Sequence, residues 1–216
     1  MKVAFSLIIV LLCYFNFNAQ SKNIDKDEYE KAFKFAVSET NAVYPHIFEV
    51  KTNFVEAGKT VRTVTETNEN EAPLHHRIKV TILENGKETN KYQINVGAGN
   101  VFCSDDGRIW KPSKYECDSQ RMIYGPRNPE TIEYSVIEKK LAGKSVKIYR
   151  KYSVFAPTKE GEKRTFSEEI STIDSRGFFI TVETSQGTLD PKAVTLTRKQ
   201  TWTLKAKIKP IVSPIK

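Results

Sequence analysis

Hydrophobic spacing divides the chain into three stretches with different periods. Val3 to Tyr14 is an unbroken apolar run after Met1-Lys2, and Asn18-Ala19-Gln20 follows it. A short basic start, about a dozen apolar residues and a small-residue site form the pattern of a secretory signal peptide, too short to span a bilayer comfortably. Residues 1–20 are therefore expected to be cleaved, with the mature chain starting near Ser21. Cys13 follows Leu12 where lipoprotein processing wants a small residue, so an unlipidated protein is expected.

The second stretch has helical spacing. Tyr29, Ala32, Phe33, Ala36 and Val37 recur at intervals of three, four and seven, with Asp25 placed to cap and Glu28 three residues on. That spacing predicts one amphipathic helix from about Asp27 to Asn41, ending before Tyr44-Pro45.

After Pro45 the period falls to two. Apolar residues alternate with polar ones in Ile47–Val55, Arg77–Leu83, Tyr92–Val96, Val146–Phe155, Phe178–Thr184 and Thr195–Leu204. Such alternation marks antiparallel strands with one buried and one wet face. Ala57-Gly58, Asn85-Gly86, Asp106-Gly107, Gly143 and Asp174-Ser175-Arg176-Gly177 supply the turns, Asn85-Gly86 being the strongest hairpin signal. Thr67–Pro73 reads as a polar surface loop and Met122–Glu130 as a longer crossing. The expected fold is mostly β (α+β): a curled antiparallel sheet or unclosed half-barrel of roughly eight to ten strands, the N-terminal helix packed on its concave face. Residues 21–216 are expected to form one β-rich domain.

An apolar stripe is expected on the concave face, made by Phe48, Val50, Phe54, Ile78, Val80, Ile82, Tyr92, Ile94, Ile148, Tyr152, Ile180 and Trp202. A helix of about 15 residues is roughly 22 Å long and 10 Å wide, against about 38 Å for eight strands. Curling of the sheet must bury the remainder, or an apolar cleft is left.

Composition narrows the chemistry. Lys plus Arg number 34 and Asp plus Glu 26, a net charge of +8 that falls to +7 without Lys2. Arg198, Lys199, Lys205, Lys207, Lys209 and Lys216 fall in the last twenty residues, a spacing typical of a solvated strand face, the alternative being weak attraction to an anionic membrane surface. No nucleic-acid motif is present. Cys103 and Cys117, the cysteines left after cleavage, are spaced as a local disulfide in an exported chain. Ser104-Asp105-Asp106-Gly107-Arg108-Ile109-Trp110 misses the S-x-D-x-G-x-x-W box of sialidase propellers by one residue and reads as a hairpin tip. His46, His75 and His76 lack metal-ligand spacing, since neighbours in a strand point to opposite faces. Glu168-Glu169 splits across a strand in the same way, which argues against paired-carboxylate chemistry. No nucleophile-elbow, zincin, P-loop or dinucleotide motif occurs. No enzyme, metal or cofactor is expected.

The order of several short motifs resembles a known group. Tyr44-Pro45-His46-Ile47-Phe48-Glu49-Val50-Lys51-Thr52 follows the helix, and His76-Arg77-Ile78-Lys79-Val80 and Gly107-Arg108-Ile109-Trp110-Lys111 come next. Leu141-Ala142-Gly143-Lys144-Ser145-Val146-Lys147-Ile148-Tyr149 is similar to a G-x-x-V-x-x-Y strand. Ile170-Ser171-Thr172-Ile173-Asp174-Ser175-Arg176-Gly177 is similar to a W-I-D-x-x-x-G hairpin, and Ile208-Lys209-Pro210-Ile211 to a closing I-x-x-P segment. Together they resemble the periplasmic lipoprotein-carrier (LolA-like) superfamily over most of residues 27–212. The resemblance implies an unclosed half-barrel whose concave face binds acyl chains or other apolar ligands. No functional residue is carried over by position.

The expected function is that of an exported, non-enzymatic, monomeric binding protein, periplasmic or secreted by a bacterium. Its expected partner is an apolar small molecule or lipid, with lipoproteins or a membrane surface as further candidates and nucleic acid excluded. The alternatives are a structural or interaction protein of the envelope with a filled core, and an esterase-like or glycan-active enzyme.

Overall fold

The computed structural model describes residues 21–113, 117, 128–157, 159–189 and 192–215. Strand β1 (Lys22–Asn23) precedes helix α1 (Lys26–Ala42). Asp25 caps α1, its carboxylate accepting from the Glu28 N–H at 2.7 Å, and Asp27 and Glu28 favour the positive end of the helix dipole. A first meander follows: β2 (His46–Glu56), β3 (Lys59–Ala72), β4 (His75–Glu84), β5 (Lys87–Val96), β6 (Val101–Ser104) and β7 (Lys111–Ser113). The second comprises β8 (Thr131–Leu141), β9 (Lys144–Phe155), β10 (Thr165–Asp174), β11 (Phe179–Thr188) and β12 (Ala193–Leu204).

The twelve strands among the described residues join one antiparallel sheet in the order β1-β8-β9-β10-β11-β12-β2-β3-β4-β5-β6-β7. The two meanders meet where β12 pairs with β2, Trp202 opposite Phe48. The sheet does not close, so β1 and β7 are its edges. Ala57-Gly58, Asn85-Gly86 and Ala142-Gly143 each place two successive residues at positive φ, the geometry of two-residue hairpin turns that match strand twist.

The fold class is as expected: mostly β, unclosed, with one helix packed on a face of the sheet. Two expectations need correction, and two others fall outside the described residues. Thr67–Pro73 is not a surface loop, since residues 67–72 belong to β3, paired with both β2 and β4. Asn and Glu disfavour strands in isolation, and flanking partners override that preference. Among the described residues the strands number twelve rather than eight to ten, and six of them, β8 and β10 included, lie outside the alternating segments. Residues 1–20, with the signal peptide and Cys13, lie outside the described residues, as do residues 122–127 of the Met122–Glu130 crossing.

Helix α1 covers only the β8–β11 part of its face. Tyr29 and Ala36 pack with Val136, Tyr149, Ile173, Phe179 and Val182, and Phe33, Tyr134 and Trp202 border them. Two polar contacts fix the helix. Thr40 is 2% exposed, and its Oγ1 accepts from the Phe179 N–H at 3.0 Å, beside the register shift between Thr172 and Ile173. The Tyr29 hydroxyl donates to Glu169 Oε1 at 2.7 Å. Burial first, and then the Glu169 carboxylate, push the Tyr29 phenol far above its ordinary value, so it stays a donor.

Cys103 and Cys117 are disulfide-bonded, their Cα atoms 5.7 Å apart. Among the described residues no helix is long and apolar enough to cross a membrane.

Alkylation of the unreduced protein should leave Cys103 and Cys117 unlabelled, as mass mapping would read; labelling of both would refute the bond. Thr40→Val should cost about 1–3 kcal/mol in denaturant unfolding, because it leaves the buried Phe179 N–H without its acceptor. A loss below a few tenths would show that this contact does not fasten the helix.

Candidate functional site

Pairing register decides which residues share a face, because directly opposed residues point the same way. Val182, Gln200, Val50, Glu66, Val80 and Lys91 form one such row across β11, β12, β2, β3, β4 and β5. Val182 touches the helix core, so this row marks the helix side. Phe48, Val50, Phe54, Ile78, Val80, Ile82 and Trp202 lie on that side.

Tyr92, Ile94, Ile148 and Tyr152 do not. Tyr92 opposes Lys79 and Ile94 opposes Arg77, one step out of phase with Ile78 and Val80. Ile148 and Tyr152 oppose Thr172 and Glu168, whereas Tyr149 and Ser171 face the helix. Ile180 sits in the bulge between Phe179 and Thr181. The expectation that every strand contributes to one apolar stripe is therefore corrected: the stripe is split between two faces.

The helix side is also polar in its uncovered half. Glu66 and Asn68 of β3 alternate with Val64, and Lys91, Gln93 and Asn95 are the residues β5 presents there. Gln93 is 4% exposed and accepts from the Cys117 N–H at 2.8 Å through Oε1. Asn68 Oδ1 and Asn95 Oδ1 are buried without a hydrogen-bond partner. A dry apolar surface across the whole face does not exist.

Where the helix meets the ends of β8, β9 and β10, a cleft of about 730 Å³ opens to solvent. Its walls are Ala32 and Phe35 from the helix, Val146 and Tyr149 from β9, and Ile173 from β10. Charged residues ring it: Glu28 and Lys31 on the helix, Glu138, Lys139 and Lys140 on β8, and Lys147 on β9. The remaining wall is the β10–β11 turn. Asp174 Oδ1 accepts from the Arg176 and Phe178 N–H groups, both at 2.9 Å, and Oδ2 takes the Arg176 guanidinium at 2.7–2.9 Å. Burial alone would raise the Asp174 pKa, but these hydrogen bonds outweigh it and hold the carboxyl below its usual range. Gly177 has φ +89°, and a Cβ there would stand 2.3 Å from the Phe35 ring. Only glycine lets that ring lie against the turn.

Charge in the cleft is unevenly matched. Glu138 pairs with Lys147 at 3.0 Å and raises the lysine's pKa, Glu28 reaches Lys22 at 3.8 Å, and Asp174 holds Arg176. Among the described residues no ion pair involves Lys31, Lys139 or Lys140. Burial raises the Tyr149 pKa as well, so its hydroxyl stays neutral at the floor.

Other candidate chemistry resolves into structure. Glu168 accepts from Arg150 at 2.6 Å on the outer face, while Glu169 meets Tyr29 on the helix side, so the two carboxylates are separated by the sheet. Asp106 Oδ1 accepts from the Arg108 and Ile109 N–H groups at 2.8 and 2.9 Å, which lowers its pKa to about 2. The near-match to a propeller box is thus a tight hairpin tip. The His46 ring contacts the Val43 carbonyl at 2.7 Å, and no group of three or more potential metal ligands exists among the described residues. An outer-face groove of about 320 Å³ has Lys199 already paired with Glu183 at 2.7 Å.

No protein-family model matches the chain, and no curated protein is similar to it at a significant level.

Asp174→Ala should destabilise the protein by about 1–2 kcal/mol at neutral pH, since it frees the turn's N–H groups. A depressed carboxyl stabilises fully above its unfolded pKa, near 3.9, and loses that effect as pH falls towards its folded pKa. Denaturation curves of the variant and parent should therefore converge below about pH 3.9. A gap that stays constant through that window would show that the carboxylate charge is irrelevant.

Proposed function

We propose that this chain is an exported, non-enzymatic binding protein that holds an apolar ligand, a lipid or acyl chain, between α1 and the ends of β8–β10. The observation that carries this reading is the cleft itself. Its volume of about 730 Å³ falls in the usual ligand range of about 300–1,000 Å³, and its walls are aromatic and aliphatic with a charged rim. Phe35, 54% exposed, offers apolar surface that a hydrocarbon chain would remove from water. This site differs from the one the sequence suggested, at the edge of the helix instead of along a continuous stripe.

The disulfide and the absence of a membrane-spanning helix among the described residues are compatible with export. The apolar run at residues 3–14 supports the same reading, with a periplasmic or secreted destination. The one-helix, open-sheet architecture fits the expectation raised by the lipoprotein-carrier resemblance, which is offered here as an analogy of fold and ligand class.

Phe35→Asp tests the proposal with little risk to folding, because the ring is half exposed. It should weaken uptake of a fluorescent fatty-acid probe by on the order of tenfold, the effect of losing about 1.4 kcal/mol of apolar contact. The thermal midpoint should change little. If the parent protein takes up no probe, the binding reading fails and the envelope structural protein becomes the better account.

A further inference from the structure

We infer that the cleft is built for an anionic amphiphile, its hydrocarbon chain against Phe35, Ala32 and Ile173 and its charged head at Lys139, Lys140 and Lys31. This inference rests on the binding reading above and adds the sign and place of the head group.

The argument is one of charge inventory within a single cavity. Seven charged side chains line the cleft, three acidic and four basic. Each carboxylate has a cation: Lys147 for Glu138, Lys22 for Glu28 and Arg176 for Asp174. Lys31, Lys139 and Lys140 remain with no ion pair among the described residues, and all three line the same opening. Lys139 and Lys140 leave β8 just before the Ala142-Gly143 turn, and Lys31 stands one helical turn from Phe35. Three ammonium groups without carboxylate partners around one opening attract an anion, while the Ala32, Phe35, Val146 and Ile173 side chains in the same walls suit an apolar chain. A molecule with an anionic head and an apolar tail satisfies both parts. By contrast, Lys199 of the outer-face groove already has its carboxylate, Glu183.

A carboxylate head would come from a free fatty acid and a phosphate head from a phospholipid-like molecule; the shared chemistry is an anion on an acyl or alkyl chain. Displacement of a neutral fluorescent probe from the full exported chain, at pH 8 and low salt, distinguishes them. Laurate, dodecyl phosphate and dodecanol carry the same chain length with different heads. At least one of the two anions should displace the probe at about tenfold lower concentration than dodecanol, and salt should narrow that margin. The stronger of the two anions identifies the head group. The double substitution Lys139→Glu and Lys140→Glu should abolish the preference while dodecanol still competes. Lys144→Glu, on the same hairpin but outside the cleft lining, should leave it intact and controls for general charge. Equal competition by all three ligands in the parent protein, or a preference that survives the double substitution, would overturn the inference and leave apolar binding standing. Failure of the probe to bind at all would remove the binding reading and this inference with it.

Discussion

One helix cannot cover twelve strands, and most of this structure follows from that mismatch. Helix α1 is about 25 Å long and 10 Å wide, while twelve strands side by side extend about 50 Å. The helix therefore covers β8–β11 and leaves the same face of β2–β5 to other means. In the covered half the face is apolar, with Val136, Tyr149, Ile173 and Val182 under Tyr29 and Ala36. In the uncovered half apolar residues of β2 and β4 alternate across the sheet with Glu66 and Asn68 of β3 and with Lys91, Gln93 and Asn95 of β5. A wholly apolar face of that size left open would invite association, and the polar rows interrupt it. The open edges are handled similarly: β1 is two residues long and β7 three, too short to template another strand well.

The helix is held by contacts at its two ends. Thr40 satisfies the Phe179 N–H near the C-terminal end, and Tyr29 donates to Glu169 near the N-terminal end. Between them Phe33 meets Phe179 edge-on, with centroids 5.2 Å apart. Fixing both ends sets the angle at which α1 crosses the strands. The cleft is the wedge left over beside it, bounded by the β8–β9 hairpin and the β10–β11 turn. Gly177 belongs to the same arrangement, since its missing side chain admits the Phe35 ring that walls the wedge.

Local patterns were legible in the sequence and the shared face was not. Period-three-to-four spacing and Asp25 located the helix within one residue at either end, and alternation located six of the strands. Alternation alone cannot say whether two strands are in phase. The Asn85-Gly86 turn held that information: a two-residue connection sets Glu84 opposite Lys87, hence Ile78 opposite Gln93 and Tyr92 opposite Lys79. Counting back from the turn would have moved Tyr92 and Ile94 to the far face. The Ala142-Gly143 turn sets Leu141 opposite Lys144, and so Val136 opposite Tyr149, in the same way. Strand β3 was missed for a different reason. Its run Thr67-Asn68-Glu69-Asn70-Glu71 carries no apolar alternation, and its strand state comes from pairing on both sides and from contacts such as Arg77 to Glu69 at 3.0 Å. The cleft could not be read either, because its lining joins residues more than a hundred positions apart through the helix-to-sheet packing.

The cleft also bears on what stabilises the free protein. A filled core would bury Phe35 completely and pair Lys139 and Lys140 with carboxylates, both of which add stability. Here the ring is 54% exposed and neither lysine has an ion pair among the described residues. Such a surface contributes less to the stability of the fold than a buried ring and paired lysines would. Any molecule that covers Phe35 and neutralises the lysines restores part of that difference. Binding to the folded state alone then raises the unfolding free energy by RT ln(1 + [L]/Kd). On the proposed reading, stability and occupancy would be coupled through the same few residues, Phe35, Lys139 and Lys140.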